Sequence, residues 1–132
     1  MWTEVLREKL ATRTARVGVI GLGYVGLLGV TYKADVNDIR ESPALEIIEM
    51  LERKGAQVSY ADPFTPQLSA NGLKLSAVEP TPEALAAADC VLLLTNHSSF
   101  DAATIAGAAR LVVDTRNALK AHRQGRSSIV TL

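Results

Sequence analysis

Apolar residues recur along this chain in two alternating rhythms. "AQVSYAD" (56–62), "CVLLLT" (90–95) and "LVVDT" (111–115) are short, dense apolar runs rich in Val, Leu and Tyr. Continuous runs of that kind mark strands covered on both faces. Between them the spacing turns helical. Ser42 and Pro43 form a helix start, with a capping hydroxyl and proline in the first turn, and Ala44, Ile47, Ile48 and Leu51 then share one face. Gly55 ends that helix. Thr81-Pro82 opens a second helix, "PEALAAA", and "DAATIAGAA" gives a third. Upstream, residues 3–11 carry a weak helical stripe of Val5, Leu6 and Leu10. Residues 16–32 are strand-like but broken by glycines, and "KADVNDIRES" is polar and loop-like. Residues 64–73 read as loop, "LKLSAV" as a short strand, and "SSIVTL" as a final edge strand.

Strand and helix alternating in this way predict right-handed crossovers and a parallel sheet with helices on both faces. The fold expected is a single-domain, three-layer α/β/α architecture around a mostly parallel, Rossmann-like sheet. Ligands of such sheets bind beyond the carboxyl ends of the strands, where strand order reverses. The positions to inspect are therefore Tyr32 to Arg40, Asp62, Thr95 to Ser98, and Asp114 to Asn117.

The bulk properties narrow the partners. The chain has 132 residues, the size of one ordinary domain, with 14 basic and 14 acidic residues and no net charge. No electrostatic footprint for nucleic acid is present. A mild basic cluster at Lys120, His122, Arg123 and Arg126 reads as a solvated tail. No apolar run is long enough to span a membrane, and the charged opening "MWTEVLREKLATRTAR" is not a secretory signal. One cysteine excludes an internal disulfide, so a cytoplasmic setting is expected. His97 and His122 form no metal-binding pattern, and no metal is expected.

One stretch offers two readings. Gly21, Gly23 and Gly26 fit G-x-G-x-x-G directly after the strand-like "RVGVI". In a dinucleotide site such glycines turn tightly, approach a pyrophosphate and pass it to the amino end of a helix. Here "LLGVTYKADV" follows, with no helical stripe before Pro43, and Asp62 comes far beyond the roughly 20 residues at which a ribose-binding acid is expected. The alternative is a flexible turn or an extra strand pair. Residues 17–32 as one strand would run about 50 Å, against a radius of gyration of about 14 Å for a domain this size. The segment must turn, swap or protrude.

The same stretch carries a family resemblance. "ARVGVIGLGYVGL" resembles the amino-terminal opening of the nucleotide-sugar 6-dehydrogenases, which oxidise UDP-glucose, UDP-N-acetylhexosamines and GDP-mannose. "LLGVTYKADVNDIRESPALEIIEMLERKGAQVSYADPF" resembles the start of their carboxyl-terminal domain, and "ADCVLLLTNHSSF" and "LVVDTRNAL" continue it in order. The signature is nearest the UDP-N-acetylglucosamine and UDP-N-acetylmannosamine 6-dehydrogenases. In the family the two pieces are separated by the rest of the NAD-binding domain and a helical dimerisation segment. Here they join at about Gly26 to Leu28. The resemblance thus divides the chain into a leader, residues 1–26, and a UDP-binding domain, residues 27–132, whose central strand would be "GLLGVTY". "VGVIGL" would be an added strand or an exchanged arm.

What the resemblance implies about function is a UDP-sugar binding domain of an NAD-dependent UDP-sugar 6-dehydrogenase, not catalytic alone. The family's Gly-Gly-x-Cys segment and its central lysine and asparagine have no counterpart in this sequence. Cys90, at the start of a buried strand, reads as a small hydrophobe. Tyr32 and Lys33 lie where the family contacts the UDP-sugar, and Arg116 or Asn117 resembles a position that contacts it from the partner region. Arg40 resembles an arginine that reaches NAD, the family's cofactor, in the complete enzyme; its guanidinium suits phosphate. Each has a plainer role open to it. For Arg40 that is an ion pair with Asp38 or Glu41, and for Arg116 and Asn117 it is bracing a loop. His97 reads as loop-stabilising. Two other functions stay open: an active oxidoreductase when assembled with a complete partner, and a self-associating fragment, a homodimer for instance, whose apolar residues 17–26 pair with another chain's edge.

Overall fold

The computed structural model describes residues 23–40, 42–70, 72–122 and 128–131. The helix expected at 3–11, the segment "VGVIGL", Gly21, Glu41, Arg123 and Arg126 lie outside the described residues. Five parallel strands form the central sheet: β1 Tyr24–Leu28, β2 Gln57–Ala61, β5 Cys90–Leu93, β6 Val112–Asp114 and β7 Ile129–Thr131, in the order β2-β1-β5-β6-β7. A two-stranded antiparallel hairpin, β3 Gln67–Ala70 and β4 Leu73–Ser76, lies beside it. Three helices complete the domain: α1 Ala44–Arg53, α2 Pro82–Ala87 and α3 Ala102–Ala108. This is the α/β fold that the alternating rhythms predict.

Period-two alternation along β1 sorts its side chains into two cores. Val25 and Leu27 join Ala44, Ile48, Tyr60, Leu68 and Leu94 under α1 and the hairpin. Leu28 joins Val91, Leu93, Leu85, Ile105 and Val112 under α2 and α3. Leu27, Tyr60, Ile48, Leu93 and Val112 are fully enclosed. The helix ends follow the capping chemistry. Ser42 Oγ accepts the Ala44 N–H at 3.2 Å, Thr81 Oγ1 accepts the Ala84 N–H at 3.1 Å, and the Asp101 carboxylate takes the Ala103 and Thr104 N–H groups. Gly55, at φ +92°, follows the last turn of α1.

Two expectations need correction. The central strand is not "GLLGVTY" but Tyr24–Leu28, paired with β2 at Gly26–Ser59 and with β5 at Gly26–Val91. It starts two residues earlier, reaching across the expected boundary between leader and domain. It stops at Leu28 because Gly29 turns to φ +86° and the next N–H, that of Val30, goes to the Asp62 carboxylate at 2.8 Å instead of a neighbouring strand. The span 64–73, read as loop, contains β3. Only Leu68 of that strand is buried, against α1's side of the sheet, so its apolar content was too thin to register.

Gly107 sits inside α3, and a Cβ built there would meet nothing within 4 Å. Gly107→Ala is expected to raise stability by about 0.5–1 kcal/mol, because alanine loses less backbone freedom on entering a helix. A higher urea midpoint at unchanged slope would show it.

Candidate functional site at the strand ends

The chain runs from β1 to β2 on one side and later places β5 on the other side of β1. Strand order therefore reverses between β1 and β5, and the loops leaving their carboxyl ends, 29–40 and 94–101, form the edge where ligands of such sheets bind. The loop after β6, 115–119, adjoins them.

A fully buried imidazole ties this edge together. His97 Nδ1 accepts the Asp35 N–H at 2.9 Å. An acceptor nitrogen carries no proton, so the ring is neutral with its hydrogen on Nε2. That N–H points at Asp62 Oδ2, 2.8 Å away, with Thr31 Oγ1 at 3.1 Å. Asp62 completes its shell with the N–H groups of Val30 and Phe64, each at 2.8 Å. The rings of Phe64 and Phe100 flank the imidazole at 5.0 and 5.5 Å between centroids. Thr31 donates its hydroxyl to the Lys33 carbonyl at 2.8 Å and receives the Thr95 hydroxyl on its own carbonyl at 2.7 Å.

A second clasp crosses between the same loops. Asp35, at φ +59°, accepts the Ser98 N–H at 2.8 Å and the Ser98 hydroxyl at 2.9 Å. Those two bonds, the backbone one foremost, hold its carboxyl below the usual aspartate range. A depressed carboxylate contributes stability above its unfolded-state pKa and loses it as pH falls through the folded one. The clasp is therefore closed at neutral pH and opens in acid.

These braces leave Tyr32 and Lys33 exposed at the crest of the loop, whose neck is closed by Tyr32 N–H to the Asp38 carbonyl at 2.7 Å. Arg116 stands after β6. Its backbone N–H goes to Asp114 Oδ1 at 3.0 Å and its Nε to the Leu94 carbonyl at 2.9 Å, yet the residue remains exposed. Asn117 follows at φ +56°. The fold thus places Tyr32, Lys33, Arg116 and Asn117 on one edge. Lys33 and Arg116 leave strands two interstrand steps apart, about 10 Å.

The other candidates fall elsewhere. Arg40 forms a two-point ion pair with Asp38, Nε to Oδ1 and Nη2 to Oδ2, both 3.0 Å. This raises the arginine's pKa and depresses the carboxyl. Its side chain is 87% exposed. Gly23 and Gly26 make no phosphate turn. Gly26 is mid-strand in β1 and the Gly23 carbonyl receives the Gln57 N–H at 3.2 Å. The physical reason is the slot between β2 and β5, which only an extended segment fills, so the described glycines do not fit a dinucleotide's pyrophosphate. Cys90 opens β5, and burial pushes its thiol pKa up, the reverse of an activated nucleophile.

Sequence reasoning missed the partnership of Asp62, His97 and Asp35. Each follows a strand, which was the available signal, but their pairing spans loops far apart in sequence. A crevice of about 460 Å³ opens next to Asp62, lined by Pro63, Pro66, Val78 and Phe100 among others; Lys33 and Arg116 do not line it. Among the described residues, no cluster of three or more His, Cys, Asp or Glu could hold a metal ion, and no helix is long and apolar enough to cross a membrane.

Comparison with known proteins adds four findings. Residues 26–121 match the model of the UDP-glucose/GDP-mannose dehydrogenase family, UDP binding domain. The chain is 36% identical over 121 residues to an NDP-N-acetyl-D-galactosaminuronic acid dehydrogenase of Ralstonia solanacearum, covering 89% of this chain and 27% of that protein. It is 37% identical over 76 residues to a UDP-N-acetyl-D-mannosamine dehydrogenase of Methanococcus maripaludis, covering 58% and 16%. Among solved structures, a UDP-N-acetyl-mannosamine dehydrogenase from S. aureus superposes with a TM-score of 0.57 at 25% identity, over 90% of this chain and 27% of that one. The chain therefore spans less than a third of each relative's length.

Proposed function

The chain belongs to the UDP-glucose/GDP-mannose dehydrogenase family, as its UDP-binding domain, and from that premise we propose that it holds the nucleoside diphosphate of a UDP-sugar across the carboxyl ends of β1, β5 and β6. Lys33 and Arg116 supply the cations, Tyr32 a face for the base or sugar, and Asn117 a polar contact. The observation that carries this reading is the anchoring of Arg116. One nitrogen of its guanidinium is spent on the Leu94 carbonyl, which fixes the group at the strand edge while the residue stays exposed. A planar, pre-positioned guanidinium suits phosphate oxygens.

In this reading the nucleotide-binding body takes in the whole of β1 from Tyr24, so that the leader ends before that strand and not at residue 26, and the domain has no catalytic centre of its own. NAD, the cofactor the resemblance implies, finds no cradle at Gly23 and Gly26. Arg40 is left as the residue that would reach a cofactor held by a complementary NAD-binding domain, its exposed guanidinium leaving Asp38 to do so.

Calorimetric titration with UDP tests the proposal. Saturable binding is expected, weakened about tenfold to a hundredfold by Lys33→Ala and by Arg116→Ala, since a hydrogen bond to a charged group contributes about 1.5–3 kcal/mol. Absence of UDP binding, or saturable binding of NAD instead, would overturn it.

A further inference from the structure

We propose that His97 is a positioning residue for nucleotide binding, holding the Tyr32–Lys33 crest in place through its Nδ1 contact with the Asp35 N–H. The proposal rests on the reading of the strand edge as the nucleotide site.

The imidazole grips the crest from both sides. Nδ1 takes the Asp35 N–H at 2.9 Å beyond the crest. Nε2 lies 3.1 Å from the hydroxyl of Thr31 before it, and that hydroxyl is bonded to the Lys33 carbonyl. The ring cannot drift, because Asp62 holds Nε2 at 2.8 Å and the two phenylalanine rings close on it. The two nitrogens thus have separate duties. Nε2 fastens the ring to the end of β2, and Nδ1 fastens the loop to the ring.

The carboxylates facing the imidazole are those of Asp62, on Nε2, and of Asp35, whose Oδ1 is 3.9 Å from Nδ1. With Nδ1 given to the Asp35 N–H, the loop is fixed to the ring by its backbone. A ligand that needs the crest in its present position therefore depends on that bond.

Two substitutions separate the duties. In His97→Asn the amide oxygen can stand near the place of Nδ1 and accept the Asp35 N–H, while the bond to Asp62 is lost. In His97→Gln the amide N–H can reach Asp62, while the Asp35 acceptor is lost. The expected result is a crossed one. UDP affinity stays within about threefold in His97→Asn and drops about tenfold or more in His97→Gln, one hydrogen bond's worth, although His97→Asn, which loses the bond to the buried Asp62 carboxylate, is the less stable of the two. Amide exchange at Asp35 supplies a readout that needs no ligand: faster in His97→Gln, unchanged in His97→Asn. Equal affinities in the two variants, or losses that merely follow their melting temperatures, would overturn the positioning role. A wild-type chain that binds no UDP while showing the exchange pattern would instead sink the nucleotide assignment and leave the brace standing.

Discussion

Gly29→Ala is expected to cost about 4 kcal/mol or more, a large part of the 5–15 kcal/mol that holds a domain of this size folded. Two penalties coincide at this position. Gly29 has φ +86°, a region where a Cβ costs about 1–2 kcal/mol. A Cβ placed there would also stand 2.5 Å from the Thr95 carbonyl oxygen, which belongs to main chain and cannot rotate away. Relief would require β1 and β5 to part where the Leu94 and Thr95 N–H groups share the Leu28 carbonyl, at 2.9 and 3.2 Å. Gly72→Ala is the internal control. Gly72 has a similar φ of +83°, but a Cβ there would meet nothing within 4 Å, so only the backbone penalty of about 1–2 kcal/mol applies. Urea denaturation of the two variants side by side separates close approach from conformation. Equal midpoints would mean that the contact with Thr95 carries no weight.

The same glycine explains why the start of the fold was only half legible. The run "GYVGLLGVTY" has strand character throughout, and nothing in its composition says where the ladder ends. What ends it is tertiary: the left-handed turn at Gly29 and the capture of Val30 by Asp62, the residue just past the end of β2. The glycine signature was misleading for a related reason. A motif read along the chain says what its backbone can do, whereas the sheet decides what it does, and here Gly26 is drawn into extended pairing on both sides. By contrast α1 was legible from Ser42-Pro43 through Ala44 and Ile48, because cap, first turn and buried face are all local. "CVLLLT" and "LVVDT" were legible because burial on both faces leaves an unbroken apolar run.

The candidate site divides in the same way. That the strand ends would carry it followed from topology, and the loops holding Tyr32, Lys33, Arg116 and Asn117 do share one edge. The braces that Arg40 and Arg116 make, to Asp38 and to the Leu94 carbonyl, were among the roles open to them. The Asp62–His97–Asp35 connection was hidden, since a polar trio of this kind has no period and no fixed spacing. It exists because the buried Asp62 and His97 must find partners that water cannot supply, and the Asp35 N–H provides one of them.

Asp114 poses that requirement most severely, and Asp114→Ala is expected to lower stability by about 3 kcal/mol, or about 10–15 °C in melting temperature. The side chain is fully enclosed. Oδ1 accepts the N–H groups of Arg116 at 3.0 Å and Ala118 at 3.1 Å, and Oδ2 that of Leu119 at 2.8 Å. These three bonds wrap residues 115–119 around the end of β6. Alanine would orphan all three donors, and the Leu119 N–H, beside a fully buried side chain, is the one that water replaces least easily. Asp114→Asn should fall between, because its amide oxygen can serve one side while its NH2 group opposes a donor on the other. The consequence reaches the edge proposed to hold the nucleotide. Arg116 owes its position to this turn as well as to the Leu94 carbonyl, so below its melting point Asp114→Asn should bind UDP several-fold more weakly while keeping every residue proposed to contact it. A variant that melts early yet binds UDP with the wild-type constant would show that Arg116 is placed by Leu94 alone.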